Sequence, residues 1–106
     1  WDEAWRGETL LSAEEKKLAL TPVKVRGKGP VDPDGRPAAY GFGWFLNPRQ
    51  GYQRAWHNGE TAGFRTTIQR FYGDGLTIII LANRDDLDPS SIALRLARSF
   101  LSSKNR

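Results

Sequence analysis

The chain of 106 residues contains no cysteine, no methionine and only one histidine. The absence of cysteine excludes disulfides, thiolate catalysis and cysteine-based metal sites, and it leaves the cellular compartment open. With a single histidine, a metal site would depend on several carboxylate ligands, and no acidic loop has a suitable spacing. We therefore expect no metal and no cofactor.

Long apolar runs are also missing. No stretch approaches the roughly 20 consecutive apolar residues that a membrane span requires. The N-terminal segment lacks the basic start and the apolar core of a signal peptide. No membrane partner is therefore expected. The first residue is not methionine, which is consistent with a segment cut from a longer protein.

The composition is that of one small globular domain with a mild basic excess. Hydrophobic residues make up 39% of the chain, charged residues make up 26%, and the net charge is +4. A chain of this length can bury one modest core. The lysines and arginines are scattered along the sequence and do not concentrate on one predicted face, which does not favour nucleic acid as a partner.

The first third of the chain predicts a short helix followed by a connector. Ser12 can cap a helix that runs to Leu20, and Glu15 completes a capping box. Residues 22–37 are rich in glycine, proline, lysine and aspartate, which indicates a mobile connector. We accordingly divide the chain into residues 1–38, with this helix and connector, and residues 39–106, with a sheet and a C-terminal helix.

From residue 39 onward the pattern is typical of strands. The segment YGFGWFL alternates large residues with glycines, and a short strand from Tyr52 to His57 follows it. A longer strand from Phe64 to Tyr72 and the apolar run LTIIILAN come next, joined by a glycine-rich turn. Four consecutive strands with short links imply a mainly antiparallel sheet. The predicted fold class is α+β.

Asp88 and Pro89 are expected to start a C-terminal amphipathic helix, as its cap and its first residue. The predicted apolar stripe of this helix contains Ala93, Leu96, Ala97, Phe100 and Leu101. The strand LTIIILAN is apolar on both faces, and this helix can cover only one of them. Either the Ser12 helix or something outside the chain must cover the other, so the isolated chain is expected to be marginally stable or to self-associate.

The single histidine, His57, lies in the segment WHNGETAGF. The residues alone allow two interpretations: a polar group at a strand end that donates a hydrogen bond to a neighbouring carbonyl, or a reactive group. No G-x-S-x-G elbow supplies a serine for histidine-assisted catalysis. The segment VRGKGP lacks the spacing of a phosphate-binding loop.

The order of these segments resembles the C-terminal part of the serine β-lactamase-like family, which includes class C β-lactamases, penicillin-binding DD-peptidases and related esterases. The resemblance is carried by YGFGWF, a His-x-Gly tripeptide, Gly-Phe-Arg, TIIILAN and the terminal helix, and it is most specific from Tyr40 to Asn83. It implies a partial β-lactamase-like domain. It also implies acyl transfer on an ester, amide or β-lactam through a serine activated by a lysine.

In that family a Lys-Thr-Gly or His-x-Gly motif lines one edge of the active site. By this resemblance, His57 faces the substrate, Asn58 replaces the hydroxyl residue of many members, and Gly59 keeps the strand flat beside the acyl group. Glu60 supplies a backbone N–H of the oxyanion hole. The implied catalytic residues are therefore His57 and Glu60. Substrate binding is implied for Asn58, Gly59 and Gly63.

The other family motifs, Ser-x-x-Lys and Tyr-x-Asn, do not occur in the 106 residues. The chain is therefore expected to be the last third of the enzyme and to be inactive alone. Its expected partners are the remainder of the parent domain and, in the full-length parent, a small-molecule substrate. One alternative is a non-catalytic β-sheet module that binds a ligand or single-stranded nucleic acid by stacking. A purely structural interaction domain also fits the sequence.

Overall fold

The computed structural model describes residues 2–7, 9–24, 27–29, 31–32, 35, 39–49 and 51–104. The chain divides into two compact units, residues 1–47 and residues 48–106. The first contains helices α1 (Asp2–Arg6) and α2 (Ala13–Ala19), and the second contains strands β1 (Ala55–Thr61), β2 (Phe64–Phe71) and β3 (Leu76–Ala82) followed by helix α3 (Pro89–Lys104). The predicted α+β class is confirmed. Much of the connector predicted over residues 22–37 lies outside the described residues, and the division between residues 38 and 39 stays a prediction.

Helix α2 begins at its predicted capping box. The backbone N–H of Glu15 donates to Ser12 Oγ at 3.1 Å, and the backbone N–H of Ser12 donates to Glu15 Oε1 at 2.9 Å. Two N–H groups that the helix itself cannot satisfy are thereby paired. The bond from the Ser12 backbone, and secondly the bond with its side chain, lower the pKa of the Glu15 carboxyl.

Helix α1 is not predicted by the sequence patterns. It carries Trp5, which is buried, and the Trp5 ring packs against the Trp44 ring with centroids 6.0 Å apart and planes tilted by 50°. Lys16 Nζ donates to the carbonyl oxygens of Arg6 and Gly7 at the end of α1, each at 3.1 Å. Contacts from elsewhere in the first unit therefore hold this single short turn of helix in place.

The segment predicted as the first strand is a tight turn instead. Gly41 N–H donates to the carbonyl of Trp44 at 2.8 Å, and Tyr40 pairs with Phe45 through one isolated antiparallel bridge. Gly43 has φ +80°, a left-handed backbone conformation that glycine adopts readily. The described chain therefore has three strands where about four were predicted. Gly41 and Gly43, whose alternation with large residues predicted a strand, lie in this turn instead.

The second unit is built on an antiparallel sheet with the strand order β1-β2-β3. Only Ala62 and Gly63 separate β1 from β2, so the Thr61↔Phe64 pair closes the hairpin. The prediction that His57 ends its strand was wrong, because β1 continues to Thr61. Two residues are enough to reverse an antiparallel hairpin, and the chain between His57 and the turn pairs with β2.

Helix α3 begins where the sequence predicts. Asp88 accepts hydrogen bonds from Ser91 N–H at 3.4 Å and from Ser91 Oγ at 2.6 Å, and Pro89 is the first helical residue. The helix packs on β2 and β3 and covers one face of the sheet. The core cluster consists of Phe71, Ala97 and Leu101, with Tyr52, Leu76, Ile78 and Leu94 packed against it.

The buried side of α3 is narrower than its predicted stripe. The stripe residues that are buried are Ala93, Ala97 and Leu101. Leu96 and Phe100 were predicted on the same stripe, but their exposed fractions are 54% and 52%. The small alanines let one i, i+4 ridge of the helix lie close to the sheet, and Leu94 completes the contact in place of the two exposed residues.

The face of β3 opposite α3 is open. Leu76 and Ile78 pack into the core under the helix, whereas Ile79 is 52% exposed and Leu81 is 78% exposed. Strand β3 is also an edge of the sheet. This arrangement agrees with the expectation that the strand is apolar on both faces and that α3 covers only one. No helix among the described residues is long and apolar enough to cross a membrane.

Candidate functional site

The alternation of side chains along β1 divides the predicted site residues between the two faces of the sheet. Residues directly opposite each other in a ladder share a face, so His57 lies with Ile68 and Ile79 on the face that α3 leaves open. Asn58 and Glu60 are one residue out of step with His57 and lie on the face that α3 covers. His57 is an exposed side chain on the open face.

The His57 ring makes a hydrogen bond that defines its tautomer. Nδ1 lies 2.6 Å from the carbonyl oxygen of Asn58. Because a carbonyl oxygen only accepts, Nδ1 must carry the proton and donate this bond. In the neutral ring, Nε2 is then the basic nitrogen. The structure thus contains the neighbouring-carbonyl bond of the first interpretation, and this bond also orients the ring.

The length of the β1–β2 turn determines which backbone groups of β1 point away from the sheet. In an antiparallel hairpin with a two-residue turn, the closing pair is hydrogen-bonded, and bonded and non-bonded pairs alternate along the ladder. Thr61↔Phe64 is the closing pair, so Glu60↔Arg65 is a non-bonded pair. Since β1 is an edge strand, the Glu60 N–H points outward. The same alternation directs the Asn58 carbonyl outward, where the histidine ring reaches it.

The two glycines of the predicted site are required for different reasons. A Cβ on Gly59 would overlap Oγ1 of Thr66, the residue opposite it in β2. Thr66 Oγ1 also lies 3.5 Å from the Gly59 carbonyl oxygen. Gly63 has open space around it, but its φ of +80° belongs to the left-handed region that the turn requires. Gly59 is therefore explained by close packing and Gly63 by backbone conformation.

A buried polar network lies on the covered face of the sheet. Its centre is Gln69, whose exposed fraction is 0%. Gln69 Nε2 donates to Thr67 Oγ1 at 2.9 Å and to Ser90 Oγ, in α3, at 3.3 Å. Thr67 Oγ1 in turn donates to Asn58 Oδ1 at 2.7 Å. The Asn58 side chain is therefore anchored beneath the sheet, and the network joins the His57–Gly59 segment to α3.

Arg54 brings a positive charge into this network. Its Nη1 donates to Gln69 Oε1 at 3.2 Å, and its guanidinium carbon lies 5.0 Å from the centroid of the Trp56 ring. Burial, with a smaller contribution from repulsion by Arg49, lowers the pKa of Arg54 to about 10. The guanidinium remains charged at neutral pH, and the amide and aromatic contacts offset part of its loss of water.

The sequence reasoning missed this network, although its signal was present. Strand β2 places Arg65, Thr67 and Gln69 at alternate positions, and all three lie on the face that α3 covers. A run of polar residues on a covered face indicates a hydrogen-bonded layer, because buried polar groups need partners. The partner in α3, Ser90, cannot be identified without the tertiary structure.

A small cavity brings together part of the predicted site. It has a volume of about 140 Å³ and is lined by Asn58, Gly59, Glu60, Arg65, Thr66, Leu87, Asp88 and Pro89. His57 and Gly63 are not among its lining residues. Glu60 Oε1 lies 3.7 Å from Arg65 Nε, and the Glu60 side chain is 73% exposed, so this ion pair adds little stability. No group of three His, Cys, Asp or Glu side chains that could hold a metal ion occurs within the described ranges.

A comparison with known protein families finds one matching family model. A family model described as Beta-lactamase matches residues 4–101, a range that includes all three strands and most of α3. No curated protein and no solved structure matches the chain. Since the family model covers nearly the whole chain, the protein belongs to the Beta-lactamase family, a family of serine β-lactamase-like proteins.

Proposed function

We propose that the chain forms one wall of the acyl-transfer site of a serine hydrolase, with His57 and the Glu60 backbone N–H directed at the substrate. The observation that carries this proposal is the geometry of β1, an edge strand with an outward-pointing amide three residues after an exposed histidine. Family membership supplies the reaction class, which is that of a serine hydrolase-type domain.

The Glu60 N–H has the properties of an oxyanion-hole donor. The ladder with β2 fixes its direction, and the amide can donate to a developing negative charge without giving up a bond within the sheet. Removing one such donor typically lowers kcat about 10²–10³-fold. The role requires no particular side chain, in keeping with the exposed and weakly paired Glu60 carboxylate.

The neighbouring residues have complementary roles in this proposal. His57 presents Nε2 to the substrate, because Nδ1 is already bonded to a backbone carbonyl. Gly59 adds no side chain between the strand and the acyl group. Asn58 contributes through its outward backbone groups, since its amide side chain is bonded to Thr67 beneath the sheet. Gly63 contributes through the two-residue turn, which determines which backbone groups of β1 point away from the sheet.

The proposed nucleophile lies outside these 106 residues, because no Ser-x-x-Lys occurs in them. We assign the serine and its lysine to the remainder of the parent domain, which would also cover the apolar residues Ile79 and Leu81 of β3. The complete protein then acts on a small ester, amide or β-lactam through an acyl-enzyme. The isolated chain is expected to be inactive.

The inactivity of the isolated chain can be tested directly. The 106-residue chain is incubated with a reporter β-lactam and with a p-nitrophenyl ester, and the initial rates are compared with buffer. We expect no saturable turnover. Saturable turnover that disappears in His57→Ala would show that the chain carries its own catalytic group, contrary to the proposal.

The role of the Glu60 amide is tested in the full-length parent with two substitutions. Glu60→Pro removes the N–H, and Glu60→Ala is the matched control that removes the carboxylate but keeps the N–H. Proline is accepted in an edge strand where the N–H makes no ladder bond. We expect kcat to be about 10²–10³-fold lower in the proline variant than in the alanine variant. Equal kcat values in two folded variants would exclude the oxyanion role.

A further inference from the structure

Three arginines from two distant parts of the sequence line one surface cavity of the second unit. Arg49 precedes β1, Arg95 and Arg98 lie on α3, and together with Ser91 and Leu94 they surround a cavity of about 260 Å³. The three arginines are exposed. No acidic side chain among the described residues lines this cavity. Basic residues that are scattered along the sequence are therefore gathered by the fold.

These three guanidinium groups differ from the other arginines of the described chain. Side-chain partners are present for Arg6, Arg54, Arg65 and Arg84, and Arg70 is buried. Within the ranges that the structure describes, Arg49, Arg95 and Arg98 make no side-chain hydrogen bond and no ion pair. The cavity thus collects three arginines whose charges have no partner among the residues that the structure describes.

The backbone fixes the positions of these cations. Arg49 and Tyr52 exchange two backbone hydrogen bonds of 3.0 Å around a turn in which Gly51 has φ +82°, and Tyr52 packs against the core cluster. Arg95 and Arg98 are i, i+3 neighbours on α3, so their side chains lie close together. Helix α3 contains no aspartate or glutamate to offset their repulsion. A bound anion would supply the missing negative charge.

A second cavity extends the basic surface along α3. It has a volume of about 390 Å³ and shares Arg95 and Arg98 with the first. The remaining lining residues are Ser99, Ser102 and Ser103. Each serine hydroxyl is a further hydrogen-bond donor for an anionic oxygen.

We propose that the cavity lined by Arg49, Arg95 and Arg98 binds a phosphate group. A carboxylate is satisfied by one bidentate guanidinium, whereas a phosphate group carries nearly two negative charges and three strong acceptor oxygens. Three guanidinium groups from a loop and a helix match this charge and this number of oxygens. None of these residues belongs to β1, so the phosphate site is independent of the proposed acyl-transfer wall.

The proposal is tested by titrating the 106-residue chain with sodium phosphate at constant ionic strength, with sodium chloride as the balancing salt. The NMR signals of the arginine Nε–H groups and of the Ser91 amide report binding. We expect saturable shifts at Arg49, Arg95 and Arg98, and about tenfold weaker binding in Arg95→Gln or in Arg98→Gln. Far-UV circular dichroism checks that each variant is folded.

The matched control is Arg84→Gln, which removes the same charge from an exposed arginine that is paired with Asp86. We expect this variant to bind phosphate within about twofold of the unsubstituted chain, because Arg84 does not line the cavity and salt weakens interactions between exposed charges. A loss of phosphate affinity as large as that of Arg98→Gln would show that net charge alone explains the effect, and it would overturn the proposed site.

Vesicles distinguish the two sources of the phosphate group. Phosphatidylcholine vesicles with and without phosphatidic acid are sedimented with the chain. Binding that requires phosphatidic acid and Arg98 assigns the site to a lipid headgroup, with the half-exposed Leu96 and Phe100 of α3 as apolar contacts. Saturation by inorganic phosphate without vesicle binding assigns it to a soluble phosphate. Binding to neither probe would refute the proposal.

Discussion

Replacing Gln69 with leucine tests whether the buried polar network holds the sheet to α3. Gln69 is fully buried and contacts Arg54, Thr67 and Ser90 through its amide. Leucine is similar in size but has no polar atom, so Gln69→Leu removes all three hydrogen bonds with little change in side-chain volume. It also leaves the Arg54 guanidinium buried without its amide acceptor.

The magnitude follows from the bonds that are lost. The bond from the charged Arg54 is worth about 1.5–3 kcal/mol, and each neutral bond is worth about 0.5–1.5 kcal/mol. The buried leucine recovers roughly 1–2 kcal/mol through its apolar surface. We therefore expect the free energy of unfolding to fall by about 0.5–5 kcal/mol, with a central value of about 3 kcal/mol. This is a large part of the roughly 5–15 kcal/mol available to a domain of ordinary stability.

Urea denaturation followed by far-UV circular dichroism measures this loss. With a slope of about 1–3 kcal/mol per molar urea, a loss of about 3 kcal/mol should lower the midpoint by about 1–3 M. Gln53→Leu is the matched control, because Gln53 is exposed and its substitution should change the free energy by less than about 0.5 kcal/mol. A loss below about 0.5 kcal/mol in Gln69→Leu, no larger than that of the control, would refute the view that these bonds stabilise the packing of α3.

Three further predictions concern single contacts. Gly59→Ala should destabilise the chain by about 1–3 kcal/mol because the new Cβ overlaps Thr66 Oγ1, and Thr66→Ala should restore most of the loss. A double-mutant cycle measured in urea tests this contact, and additive effects would contradict it. Ser12→Ala should raise the Glu15 pKa in a ¹³C NMR titration only by the smaller part that comes from the Ser12 side chain, because the backbone N–H of residue 12 is kept. Since capping lowers this pKa, its stabilisation of α2 is present at neutral pH and is lost as the pH falls through the folded-state value. Loss of the whole pKa lowering in Ser12→Ala would contradict the backbone N–H as its main cause. Leu81→Lys should reduce self-association of the isolated chain, measured by sedimentation velocity, because it places a charge on an exposed edge strand. If the unsubstituted chain is already a monomer at all concentrations, the expected self-association is contradicted.

The features that depend on neighbouring residues were predictable from the sequence. The Ser12 capping box and the Asp88 cap each involve residues three positions apart, so α2 and α3 begin where their sequences indicate. The glycine-rich turn between two segments rich in β-forming residues also identifies β2 and β3. The short helix α1 was missed, because its buried Trp5 is held by contact with Trp44, which is distant in the sequence.

The failed fold predictions have physical reasons. Large residues alternating with glycine are compatible both with a strand and with a turn, and the positive φ of Gly43 decides the outcome. The apolar stripe of α3 depends on the angle at which the helix meets the sheet. Leu96 and Phe100 have the correct helical spacing, but they lie beside the line of contact.

For the site, the sequence indicated the motif but not its geometry. The His57–Gly59 tripeptide could be recognised from its residues, whereas the direction of the Glu60 N–H follows only once the β1–β2 turn is known to have two residues. The Gln69 network and the arginine cavity each join strand or loop residues to α3. Contacts between elements so far apart in the sequence have no local signature.

The pairing of β1 with β2 restricts where this segment can change in length during evolution. Both the facing of side chains and the direction of backbone amides repeat every two residues, so an insertion of one residue into β1 between Glu60 and the turn would turn His57 towards α3 and the Glu60 N–H towards β2. An insertion of two residues there would preserve both. A residue added to the turn itself can instead lengthen the loop and leave the ladder unchanged.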